Sequence, residues 1–131
     1  MTTQQLRTIF LLMMISFSLP PLPLLLAAQQ DCAEAVSTAE MRTCADARYQ
    51  EADAELNTVY RQLMAGLSQR GREQLKSAQQ AWLGFRDKNA TFAAAVVEDG
   101  TMAPLVERAE LTALTRQRIE QLKRYLKERG N

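Results

Sequence analysis

STAEMRTCADARYQEADAELNTVYRQLMAGL, residues 37 to 67, is the stretch that decides the fold. Ser37 and Glu40 stand three apart as an S-x-x-E capping box, in which each residue satisfies an amide that a helix start would leave without a partner. Downstream, Met41, Ala45, Tyr49, Ala52, Leu56, Val59, Leu63 and Leu67 recur every three or four residues. That spacing predicts one amphipathic helix from Thr38 to Leu67. A stripe this long must be covered by other elements, so the rest of the chain has to supply facing helices or sheets.

Moving toward the C-terminus, Ser68 to Gly71 reads as a break, because Gly66 and Gly71 weaken helix continuation. A second stripe follows in Leu75, Ala78, Trp82, Phe85, Asn89, Phe92 and Val96. It predicts a helix from about Arg72 to Glu98, with Gly100 as a C-cap. Thr101 to Pro104 forms the next connection, and Pro104 suits a first helical turn, where a missing amide costs little. Leu111, Leu114, Arg118, Leu122 and Tyr125 give a third helix its face, widened by Ile119 and Leu126. Lys123, Arg124, Lys127 and Arg129 crowd its end, where cations complement the helix dipole, and they read as a solvated helix end. No strand-like alternation competes with these stripes. The class is all-α: a small bundle of three main helices, with Leu56, Tyr60, Trp82 and Phe85 as core anchors.

Toward the N-terminus, residues 1–28 read as an export signal. Arg7 supplies a positive start, Ile9 to Ile15 and Leu24 to Leu26 are apolar, and Ala27 and Ala28 precede polar Gln29. Pro20, Pro21 and Pro23 interrupt the run, which favours cleavage after Ala28 over a membrane anchor. Gln29 to Asn131 is then a single small domain without stable membrane insertion. An exported chain with two cysteines, Cys32 and Cys44, reads as one disulfide tying a short N-terminal segment to the first helix. Such a loop closure contributes about 3 kcal/mol in the chain-entropy model.

Composition excludes several functions. The chain carries 16 Lys and Arg against 15 Asp and Glu, so it has no basic field for nucleic acid. It has no histidine, which removes the commonest general base and metal ligand. We expect no cofactor, no metal and no catalytic residue, because no nucleophile is paired with a base. Polar residues beside the apolar stripes need partners within the bundle. Arg86, one turn past Trp82, would find Asp53 and Asn57 on the first helix, and Arg118 of the third stripe would join them in one structural network.

Four blocks in order then give a resemblance: DC-x11-C at Asp31 to Cys44, ADAELNTVY at Ala52 to Tyr60, AQQAWLGFRD at Ala78 to Asp87, and LTRQR at Leu114 to Arg118. Together they resemble the LprI-like domain of exported bacterial proteins, whose name comes from a lysozyme inhibitor. The resemblance covers nearly all of the chain after the signal. Many members carry a second cysteine pair where this sequence has Ala90 and Glu110. The resemblance implies a periplasmic or secreted protein whose partner is another protein, such as a lysozyme or other peptidoglycan hydrolase. The alternative is an interaction or accessory module of the periplasm with no inhibitory activity. An inhibitor must reach into a cleft lined by carboxylates. Glu98, Asp99, Gly100 and Thr101, in the second connection, are the candidate loop, their acids suited to the basic rim of a lysozyme.

Overall fold

The computed structural model describes residues 35–97 and 100–129. Three helices account for nearly all of them: α1, Thr38–Ala65, α2, Gln69–Val96, and α3, Ala103–Arg129. No strand occurs among the described residues. α3 lies along both other helices, whereas α1 and α2 approach one another little beyond their shared turn.

α1 starts where the capping box places it. The Ser37 hydroxyl accepts from the Glu40 amide at 3.2 Å, and the Glu40 carboxylate accepts from the Ser37 amide at 2.9 Å. Those hydrogen bonds hold the Glu40 carboxyl below its usual range, the Ser37 backbone contributing most. The helix ends at Gly66, two residues before the expected break. Its last carbonyls are covered from elsewhere in the fold: Arg72 donates to Met64 at 3.1 Å, and Arg129 donates to Leu63 at 3.4 Å and to Gly66. α1 has no basic residue in its own last turn, so these arginines supply the complementary charge.

The turn into α2 is therefore tighter than expected. Ser68 caps α2 by accepting from the Gly71 amide at 3.3 Å, and Gly71 lies inside the helix rather than in a break. At the other end Val97, not Gly100, caps α2. Pro104 falls in the first turn of α3, as its missing amide favours.

The core sits between α1 and α3. Leu56, Val59 and Leu63 pack with Ile119 and Leu122, and Tyr60, Leu67, Leu75, Trp82 and Leu126 close over them. The expected face of α2 needs correction. Its buried positions are Gln79, Arg86 and Ala90, while Phe85 is 55% exposed and Phe92 67% exposed. Neighbouring helix positions differ by about 100°. Turning Arg86 inward, where aromatic faces and a carboxylate receive it, necessarily turns Phe85 outward, so Phe85 is not a core anchor.

A second correction concerns the N-terminal segment tied by a disulfide. Cys32 lies outside the described residues, so the expected bridge and the segment it would tie are not part of the described architecture. Cys44 is buried within α1. Among the described residues the three helices close their core with their own side chains. The basic end of α3 is likewise more than a solvated end. Lys123 pairs with Glu55 of α1 at 2.8 Å and with Glu120 at 3.2 Å, and Arg129 reaches the end of α1.

Candidate functional site

The densest polar arrangement lies where the three helices meet, around Arg86. Helix spacing places Tyr49 and Asp53 one turn apart on α1, and Trp82 and Arg86 one turn apart on α2. The Arg86 guanidinium lies 5.6 Å from the centre of the Tyr49 ring and 5.3 Å from that of Trp82. Its Nη1 is 3.4 Å from Asp53 Oδ1, and its Nε donates to Asp87 Oδ1 at 2.9 Å. Asn57 donates to the other Asp53 oxygen at 3.0 Å and so orients that carboxylate.

The pattern continues in both directions. Arg108 of α3 lies 5.4 Å from the Tyr49 ring centre and pairs with Asp46 at 2.7 Å. Arg118 of α3 lies 5.7 Å from the Trp82 ring centre and donates to Gln79 at 3.0 Å and to Gln121. The result is an alternating row: Arg108, Tyr49, Arg86, Trp82, Arg118. Each cation meets the electron-rich face of a ring, an attraction that grows as water is excluded. Burial raises the Tyr49 hydroxyl above its usual range, with the Arg86 charge opposing it. Burial also lowers the Arg118 guanidinium, with Tyr125 opposing.

The expected network is thus brought together in part. Asp53, Asn57 and Arg86 touch directly. Arg118 joins them only through Trp82, and its own hydrogen bonds go to glutamines. Leu56 is buried, and Tyr60 and Trp82 are half-buried. Tyr49, Gln79, Asp87 and Arg108 were not foreseen as members. The signal for Tyr49 was present, since it precedes Asp53 by one turn. The signal for Gln79 was its helical alignment with Trp82 and Arg86.

Chemically, this arrangement is a joint. Its carboxylates are engaged by arginine, and its cations lie over rings. Between α1 and α3 there is also a surface groove of about 390 Å³, lined by Glu51, Glu55, Arg116, Glu120 and Lys123 with Ala52 and Ile119. Hydrogen bonds that Lys123 donates to Glu55, then to Glu120, hold its ammonium above its usual range. No cluster of metal-binding residue types occurs among the described residues.

The candidate loop is described only at its end. Glu98 and Asp99 lie outside the described residues. Gly100 and Thr101 are exposed, and Arg42 of α1 donates to the Thr101 carbonyl at 3.3 Å, which anchors the loop's exit. Ala90 is fully buried, and beside it Asn89 donates to Glu110 at 2.7 Å. α2 and α3 are therefore pinned together there by a polar contact.

Comparison with known proteins gives two matches. A family model described as lysozyme inhibitor LprI matches residues 29–122. An uncharacterised protein of Rhizobium meliloti (strain 1021) is 36% identical over 116 residues, covering 79% of this chain and 84% of the relative. No solved structure matches.

Proposed function

The chain belongs to the LprI family of lysozyme inhibitors, and from that premise we propose that it is an exported binding protein that blocks a lysozyme or a related peptidoglycan hydrolase. The family match carries this reading. It begins at residue 29, immediately after the Ala28 at which the leader is expected to be cleaved. No helix among the described residues is long and apolar enough to cross a membrane. The protein works by occupying a surface, with no chemistry of its own, and needs no cofactor.

Three long helices clamped at a common joint provide a rigid base, and rigidity lowers the ordering cost of binding. The loop over residues 98–101 is the contact we assign to the target. Glu98 and Asp99 meet cationic residues at the rim of the hydrolase cleft, and Arg42 steadies the loop through Thr101.

The test is lysis of peptidoglycan by c-type, g-type and i-type lysozymes in the presence of the processed protein. We expect dose-dependent inhibition of one class, weakened about tenfold or more by joint replacement of Glu98 and Asp99 with alanine. Absence of inhibition by folded protein contradicts the reading. A second reading, an accessory module of the periplasm without inhibitory activity, is favoured by one observation: Phe85, Phe92 and Val96 form an apolar face on the outside of α2. Failure against all three lysozymes, with recovery of a periplasmic partner, would select it.

A further inference from the structure

The outer face of α2 is unusual for a helix at a protein surface. Phe85, Phe92 and Val96 are 55%, 67% and 65% exposed. They are spaced by seven and four residues and fall within roughly 20° of one line along the helix. Exposed Ala78 and Ala81 extend that line toward the start of α2. From Ala78 to Val96 the line itself carries no charged side chain, and Lys88 stands at its edge, where its four-carbon stem can flank the rings. Gly84 lies beside Phe85 in mid-helix, where it costs about 1 kcal/mol relative to alanine. A Cβ there would meet nothing within 4 Å, so no contact inside this chain requires the glycine.

We propose that this face is a self-association surface, on which a second copy of the chain packs its own α2 antiparallel to the first. Three observations select a second copy. First, the face is self-complementary. A two-fold axis between residues 88 and 89 sets Phe85 of one copy across Phe92 of the other. The same axis sets Ala81 across Val96, small against large, and repeats both contacts by symmetry. Second, the area suffices. Aromatic side chains present about 150–250 Å², so each phenylalanine leaves about 100 Å² open. With Val96, the alanines and the Lys88 stem, the two copies together cover on the order of 1,000 Å², the lower bound for a specific interface. Third, the chain's net charge of +1 imposes little mutual repulsion. Ala78 and Ala81 along the line leave room for the larger side chains of the other copy.

An interface at this lower size limit is expected to be weak and reversible, so the test must span a wide range of concentration. The test is sedimentation of the full chain, exported and processed by a bacterial host, from low micromolar to several hundred micromolar. We expect a monomer–dimer equilibrium that Phe92→Glu weakens by at least about thirtyfold. Thr91→Glu, on the same helix but off the line, leaves it unchanged. Because both positions are exposed, helical content by circular dichroism stays the same in both variants. A wild-type chain that remains monomeric throughout overturns the proposal, including the case in which a different protein covers the face. A dimer that survives both Phe92→Glu and Phe85→Glu also overturns it. Lysozyme takes no part in this measurement, so its outcome is independent of the inhibitor reading.

Discussion

Arg86 is buried to 7% exposure, yet its partners Asp53 and Asp87 remain partly in water, with side chains 39% and 61% exposed. That asymmetry sets what the residue is worth. Removing it frees two carboxylates that water can receive, so the loss is chiefly the two ring contacts and the packing of the arginine stem. We expect Arg86→Ala to lower stability by about 2–3 kcal/mol, read from denaturant unfolding. Arg86→Lys should recover less than half of this, because a compact ammonium cannot reach over both Tyr49 and Trp82 as the broader guanidinium does. An unchanged midpoint in Arg86→Ala would sink the joint as a stabilising element. Thr115 poses the opposite case. It is fully buried in α3, and its hydroxyl has no hydrogen-bond partner among the described residues. A valine of the same shape removes that cost, so Thr115→Val should raise stability by about 1 kcal/mol in the same experiment. A destabilised Thr115→Val would mean that the hydroxyl is satisfied by a group beyond these residues.

At the scale of the helices, what was legible in the sequence depended on how local the signal was. Ser37 and Glu40 act on each other within one turn, and they placed the start of α1 correctly. The stripe from Ala52 to Leu63 is buried as its spacing demanded. α2 was harder because it has two apolar lines, one through Trp82 and one through Phe85, and periodicity alone does not say which faces the core. The choice is made by Arg86 reaching Tyr49 and Asp53, a contact across 33 residues in sequence. The α1 terminus was missed for the same reason, since Arg129 meets Gly66 from the far end of the chain. These helix-scale contacts have a pH signature. The Glu40 carboxyl is held low in the fold, so its contribution is present above the unfolded value of roughly 4.3 and is lost as pH falls through the lower folded value. The Lys123 ammonium is held high, so its contribution is present below roughly 10.4 and is lost as pH rises through the higher folded value. Melting curves of Glu40→Ala should therefore differ from wild type at neutral pH and converge with it in acid. Those of Lys123→Ala should converge in strong base. Parallel curves across the whole range would contradict both assignments.

For the whole molecule, α1 and α3 share an apolar core, and α2 is held to both of them by a row of arginines and aromatic rings. This division leaves one face of α2 apolar and open and leaves the loop before α3 at the same end of the molecule as the start of α1, to which Arg42 ties it. A chain with balanced charge and three clamped helices is suited to presenting surfaces to other proteins. The chain belongs to the LprI family, and the proposed lysozyme target rests on that membership. The measurement that tests this most directly is a lysis assay with the exported, processed protein titrated against c-type, g-type and i-type lysozymes, alongside its Phe92→Glu variant. The account predicts saturable inhibition of one lysozyme class, retained in Phe92→Glu because the proposed contact is the loop over residues 98–101. Undiminished lysis by every class in the presence of folded protein would contradict it.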